Sequence, residues 1–476
     1  MSVVKIYEAA EAEQSILLRK PWEDQEMPDR LLDGIERIFG ERLSPEAAVA
    51  RILADVRVRG DAALVEWSAR IDGAGGAQGA VSKGAKTQYD AAEAQGVETQ
   101  QAASLVEIPR QAWAEAYRRL PEEQRDALDL AAERVTSFHR KQPVDSWVDS
   151  GPDGTLGQLI RPLDSTGVYV PGGTAPLPSS LLMAAIPARV AGVGQVIVCT
   201  PPNSLLSSSI DRYGVPDLIL AAAHVAQVDR LFALGGAQAV GAMAYGTETV
   251  PRVDKIVGAG GLFITLAKRQ VIGSVGIDGF YGPTETLVIA DESADPAWAA
   301  ADMLAQAEHD VLASPILLTP SRTFAERVAV HLANQLETLS RAEIAATSLL
   351  ARGGIVLTAG LEEAVSLANA YAPEHLCLLV RDPWSLVGQI RNAGGIFVGE
   401  HSFEVLGDYV AGPSHVMPTE GSARYSSPLS VADFVKRISL VAFGAEAGRR
   451  LARPAAVLAR GESLTAHAAA ADMRIA

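Results

Sequence analysis

Cysteine is scarce: two occur in 476 residues, Cys199 and Cys377. Each sits in an apolar run, VIVCT and HLCLLV, so both read as buried small hydrophobes, and a disulfide framework is excluded. Zinc-type cysteine spacing is absent, so any metal would have to be held by histidine, carboxylate or amide groups. Positive charge is also short. Lys and Arg number 41 against 57 Asp and Glu, a net charge of −16, which argues against nucleic acid and anionic membrane surfaces as partners. No apolar run reaches membrane-spanning length. The acidic N-terminus MSVVKIYEAAEAEQ lacks the apolar core of a signal peptide, so the expected location is the cytoplasm.

What is present is ordinary globular material, 48 % hydrophobic and 21 % charged. The length suits about three domains, or two larger ones. Residues 1–140 read as a helical N-terminal segment. In it Ser44-Pro45-Glu46 caps a helix whose Val49, Ile52, Leu53 and Val56 share a face. A Gly-, Ala- and Gln-rich stretch at 73–107 reads as a flexible excursion. From 141 the grammar becomes strand–helix alternation, the signature of parallel sheets covered by helices. We expect two tandem Rossmann-like α/β units, 141–270 and 271–425. The segment 426–476 reads as helical and Ala-rich, too poor to build its own core, with a second subunit as the candidate surface for it.

The first unit contains no complete G-x-G-x-x-G. Its nearest approach is Gly258-Ala-Gly260-Gly261. Glycine turns at 172–173, 235–236 and 258–261 follow strands. They suit either ordinary tight turns or close approach of backbone to a ligand. In the second unit, Asp295-Pro296 opens a helix on which Gln306 and His309 are three apart and share a face near its end. That spacing serves a metal-ligand pair or a solvated, capping pair equally well. Other polar residues stand in turns or beside apolar strands: Glu374-His375, Asp408, His415, Glu462 and His467. Singly each suits a cap, a satisfied core histidine or a solvated face. Jointly they supply a metal set and a Glu–His acid/base pair, as metal-assisted oxidation of an alcohol requires.

Over about Arg161 to Arg474 the chain resembles the histidinol dehydrogenase family. The resemblance rests on TGVYVPGGTAPLPSSLLMAAIPARVAGV, LGGAQAVGAMAYGTETVPRVDKIVG, LAKRQVIGSVGID, GPTETLVIAD, LAQAEHD, APEHL, GDYVAGPSHVMPT and ESLTAH. It implies a cytoplasmic homodimer that uses zinc and NAD to oxidise histidinol through the aldehyde to histidine. It further implies Gln306, His309, Asp408 and His467 as zinc ligands and Glu374 and His375 as the acid/base pair. Thr284, His415 and Glu462 would contact substrate, together with the ligand residues and His375. Tyr169, Gln238 and Gly261 would line the nicotinamide site. The C-terminal segment would cross to the partner and carry Glu462 and His467 into its site, in keeping with a tail that lacks a core.

The chain departs from the family pattern in places. Gly258-Ala-Gly260-Gly261 stands where the family commonly has Gly-Pro-Gly-Asn, which removes an Asn contact to the dinucleotide. Tyr281-Gly-Pro-Thr284 replaces Ala-Gly-Pro-Ser and is expected to add a phenol and a methyl near the substrate. The excursion at 73–107 also looks longer than usual. The competing readings are a relative oxidising another small alcohol, as sulfopropanediol dehydrogenase does, and a zinc-holding dimer without catalysis. The retained polar grip on histidinol favours histidinol itself.

Overall fold

The computed structural model describes residues 3–19, 29–75, 107–172, 176–202 and 213–475. Two parallel sheets and one small antiparallel sheet organise the chain. The first parallel sheet holds β4 (Ser165–Tyr169), β5 (Gln195–Thr200), β6 (Arg230–Ala233), β7 (Lys255–Val257) and β8 (Gly276–Ile277), in the order β6-β5-β4-β7-β8. The second holds β1 (Ile6–Glu8), β9 (Glu285–Ala290), β10 (Ser314–Thr319), β11 (Gly354–Leu357), β12 (His375–Leu379) and β13 (Gly395–Val398), in the order β1-β11-β10-β9-β12-β13.

Parallel strands covered on both faces should be apolar throughout, and these are. Every residue of β9 and β10 is buried. Alternation sorts their side chains between two cores: Leu287 and Ile289 enter one, Val288 and Ala290 the other. The first sheet divides in the same way. Val196 and Val198 face the helix Pro178–Ala191, while Ile197 and Cys199 face a core shared with Val49, Ile52, Leu53 and Val56. The capped helix read at Ser44-Pro45-Glu46 runs Pro45–Arg59, with the Ser44 side chain accepting from the Ala47 N–H. It therefore belongs to the cover of the first sheet. Both cysteines are free and buried.

Each sheet reverses its direction of growth beside its first α/β strand. In the first sheet the switch lies between β4 and β7, in the second between β9 and β12. Such points leave a crevice at the carboxyl ends of the strands, because the flanking connections run to opposite faces.

Two segments read as helical carry strands. Within 1–140, Ile6–Glu8 pairs in parallel with β11, so the N-terminus completes the second sheet and the first unit lies between β1 and β9 in the chain. Three residues are too few for a period to register. Within 426–476, β14 (Val435–Ala442) pairs antiparallel with β3 (Gly154–Pro162), which pairs antiparallel with β2 (Trp147–Gly151). Its pairing with a distant hairpin, not the local pattern, decides its conformation. After it come the helices Ala445–Gly461 and Thr465–Asp472. These expose Leu451, Val457, Leu458, Leu464 and Met473, and the small sheet exposes Trp147, Val148, Leu156, Ile438 and Val441. Of the excursion read at 73–107, residues 76–106 lie outside the described residues. Among the described residues no helix is long and apolar enough to cross a membrane.

Candidate active site

The polar cluster gathers at the amino edge of the second sheet, at the switch between β9 and β12. In these parallel strands His375 lies opposite Thr286, so Thr284-Glu285 and Glu374-His375 emerge side by side. Helices that return antiparallel to the strands end at this same edge. Pro296–Ala307 delivers Gln306 and, just beyond its C-cap Glu308, His309; Glu404–Tyr409 delivers Asp408. Helix C-termini present carbonyl oxygens and partial negative charge, which suits a cation.

Glu374 is fixed in backbone and side chain. Its carbonyl accepts from the Gly395 N–H at 2.8 Å, and a Cβ on Gly394 would lie 2.5 Å from that oxygen. Its Oε2 accepts from the Thr284 hydroxyl at 2.7 Å and from the Glu285 N–H at 3.0 Å. The Thr284 hydroxyl also lies 2.9 Å from Gln306 Oε1. A hydroxyl donates once, so when Glu374 is ionised the charge-assisted bond wins and the Gln306 oxygen is released for another partner. Burial pushes the Glu374 carboxyl up to about 7, against the pull of His375, Thr284 and the Glu285 N–H.

His375 Nδ1 lies 3.2 Å from the Glu285 carbonyl oxygen, which only accepts, so Nδ1 carries the proton. Nε2 is then the acceptor of the neutral ring. It is buried without a hydrogen-bond partner, 3.7 Å from Asp408 Oδ1. Burial pulls this imidazole down, but Glu374, Asp408 and Glu404 outweigh it and hold the group up at about 10, so at neutral pH the ring is a cation and Nε2 accepts only after losing its proton. Asp408 is held below the usual carboxylate range: burial opposes this, and His375, His415 and His309 prevail. His415 Nδ1 donates to the Asp408 carbonyl at 2.9 Å, and its Nε2 lies 3.4 Å from the Ser180 hydroxyl. Burial lowers His415 and keeps it neutral, against Asp408. Burial lowers His309 likewise, although its charge interacts with Asp408. Ser180 opens the helix after β4, so the first unit reaches this edge.

Gln306, His309, Asp408, Thr284, Glu374, His375 and His415 therefore share one neighbourhood. Glu462 and His467 do not join it. Both are exposed on the C-terminal helices. Among the described residues no three His, Cys, Asp or Glu side chains gather closely enough to hold a metal. Gln306 Nε2 donates to Asp408 Oδ2 at 3.3 Å. With His309 these two supply an amide, a carboxylate and an imidazole, donors that suit zinc, but one short of a tetrahedral set.

Tyr169, Gln238 and Gly261 belong to the carboxyl edge of the first sheet. Tyr169 ends β4 and its hydroxyl accepts from the Gly236 N–H at 3.3 Å. Gln238 is wholly buried, and neither atom of its amide has a hydrogen-bond partner. Such an orphan calls for an explanation, and a ligand polar group is one. Gly261 caps the helix Leu262–Val271 without a side-chain bond, with open space beside its Cα.

Sequence reasoning missed the residues that hold the cluster from behind. Arg19 grips the buried Glu285 carboxylate, with Nη2 2.7 Å from Oε2, and stacks over the Tyr371 ring at 3.6 Å. Glu404, wholly buried, accepts from the Thr286 hydroxyl and, at 3.0 Å, from the Cys377 thiol. A lone Arg in LLRKP and a lone Glu in FEV carry no local signal. Tyr281 has a role in packing that its sequence position did not show. It is buried, with the Lys268 ammonium 4.8 Å from its ring centre and its hydroxyl bonded to Asp278, and so is packed away from open solvent.

A switch-point crevice with an orphaned amide at the carboxyl edge of one sheet, and a carboxylate–imidazole pair beside metal-type donors at the amino edge of the other, define a doubly wound α/β oxidoreductase. Comparison with known proteins is specific. The profile of the histidinol dehydrogenase family matches residues 83–475, and the chain belongs to that family. Histidinol dehydrogenase of Deinococcus radiodurans is 49 % identical over 466 residues, covering 98 % of each chain. That of Thermus thermophilus is 49 % identical over 429 residues, covering 90 % of this chain and 94 % of its own. The crystal structure of histidinol dehydrogenase from Elizabethkingia anophelis superposes with a TM-score of 0.83 at 28 % identity, covering 100 % of this chain and 98 % of that one.

Proposed function

We propose that the chain oxidises L-histidinol to L-histidine through histidinaldehyde, using two NAD and one water per turnover. The observation that carries this reading is the Glu374–His375 pair at the β9/β12 switch, with Thr284, Gln306, Asp408 and His415 around it.

His375 Nε2, once the ring has given up its extra proton, is the acceptor for the substrate hydroxyl proton as the carbinol carbon loses its first hydride. Glu374, ionised above about 7, then deprotonates the water that attacks the aldehyde carbon, and the second hydride leaves. The balance is one alcohol, two NAD⁺ and one water giving one carboxylate, two NADH and three protons. Gln306, His309 and Asp408 are the residues of this chain that would hold zinc, with His467 of a second copy as the fourth donor. Zinc so bound supplies a Lewis-acidic anchor for the substrate amine and imidazole nitrogens. Thr284, His415 and Glu462 would position the rest of the substrate. Tyr169, Gln238 and Gly261 would take the dinucleotide, with the orphaned Gln238 amide as its support.

A cytoplasmic homodimer fits this reading. The C-terminal helices pack chiefly on each other and expose a large apolar face, as a segment that seats on a partner does. Near-ultraviolet absorbance of NADH on mixing the zinc-loaded protein with histidinol and NAD tests the reading. Turnover with histidinol is expected. Turnover only with another small alcohol would replace the substrate, and none with any alcohol, zinc being bound, would end the enzymatic reading.

A further inference from the structure

The first sheet buries an ion pair that the chemistry above does not use. Lys268 and Asp278 are 2 % and 1 % exposed and bonded to each other. Such a pair is a poor device for stability, because desolvation offsets its attraction and apolar residues would do as well. Two of its hydrogen bonds converge on one residue. Lys268 Nζ donates to the Gly258 carbonyl at 3.0 Å, and Asp278 Oδ2 accepts from the Gly258 N–H at 2.7 Å. Asp278 Oδ1 also accepts from the Gly279 N–H at 2.8 Å. Both backbone polar atoms of Gly258 are thus held by one ion pair. Tyr281 closes over it, with its ring against the ammonium and its hydroxyl on Asp278. The nearby cation Lys255 is engaged elsewhere, on the Asp433 carbonyl at 2.7 Å.

Gly258 sits where this matters. It follows β7 directly, at φ +109°, and a Cβ there would lie 2.3 Å from the carbonyl oxygen of Tyr169 at the end of β4. The residue is therefore fixed, in a conformation that favours glycine, at the mouth of the β4/β7 crevice. The turn 259–261 hangs from it and leads into the helix Leu262–Val271.

We propose that Lys268 and Asp278 are positioning residues for the dinucleotide: the pair sets the Gly258 backbone, and through it the turn 259–261, before the cofactor arrives. The inference rests on the reading that this crevice takes NAD. It assigns the pair a share of cofactor affinity and none of the proton transfers, since preorganisation lowers the cost of binding.

NADH titration followed by its fluorescence, with steady-state kinetics and thermal melts alongside, tests this. The variants are Lys268→Met, Asp278→Asn and the double Lys268→Met/Asp278→Leu, which leaves no charge unpaired. Each is expected to raise the NADH dissociation constant and the NAD KM about 10-fold or more. Turnover at saturating NAD and the histidinol KM should stay within about twofold. The double variant should recover the melting temperature that the single variants lose, but not the NADH affinity. Recovery of both would make the pair a mere support of the fold and overturn the proposal, as would unchanged affinity in a folded single variant. If a single variant does not fold, the double variant decides. If the parent itself takes no NADH, the dinucleotide reading falls first and this inference falls with it.

Discussion

Arg19→Met tests whether the floor of the site is held from the N-terminus. Arg19 places two guanidinium nitrogens on the Glu285 carboxylate and donates to the Tyr371 carbonyl at 3.0 and 3.2 Å. The Glu285 side chain is only 4 % exposed, so removing its partner leaves a buried carboxylate. Breaking a buried pair in this way costs about 3–5 kcal/mol. Two features reduce that figure. The arginine side chain is 25 % exposed, and Glu285 Oε1 keeps the Glu420 N–H at 3.1 Å. Loss of the stack on Tyr371 adds about 1 kcal/mol back, and we expect a net loss of about 3 kcal/mol in urea unfolding. The consequence for function follows from the backbone of the same residue. The Glu285 N–H holds Glu374 and its carbonyl holds His375, so a shift at the start of β9 moves both. Turnover should fall about 10-fold or more, with the NAD KM unchanged, because the first sheet is untouched. The control is Arg19→Met/Glu285→Leu, which leaves no charge unpaired and should regain most of the stability. A double variant as unstable as the single one, or a single variant with parental stability and turnover, would refute the argument.

Three further outcomes are expected. Glu374, pushed up to about 7 by burial, is a base only when ionised, and His375, held up at about 10, accepts a proton only when neutral; turnover should therefore rise with pH in two limbs, one near 7 and one near 10, and Glu374→Gln should abolish the lower limb. His375→Asn should reduce turnover far more than zinc content measured by atomic absorption, whereas equal losses would make His375 a ligand. His467→Ala mixed with Glu374→Ala should recover part of the parental activity in a shared-site dimer. A mixture as inactive as either parent, after subunit exchange verified by tagged pull-down, would count against sharing.

Much was legible without coordinates. Continuous apolar strands such as TLVIA and HLCLLV alternating with Ala-rich helices read directly as covered parallel sheet, because that burial leaves no room for polar alternation. Ser44-Pro45-Glu46 and Asp295-Pro296 start helices by local hydrogen-bond chemistry, and both do so in the fold. Glu374-His375 stood out because titratable groups are rarely set directly before such a strand. Segments whose conformation depends on a distant partner were not legible. Ile6–Glu8 is a strand only because β11 offers an edge, and Val435–Ala442 only because the 147–162 hairpin does.

The sequence by itself determined the alternation of elements, the strand interiors and the chemical types available for catalysis, since these follow from period, propensity and side-chain identity. Tertiary structure alone decided which of those types meet. Arg19 reaches Glu285 across 266 positions and Glu374 shares Thr284 across 90, through strand order and crossovers that carry no local signature. It also decided which buried groups are neutral and which are charged, because desolvation and neighbouring charge exist only once the sheets have closed.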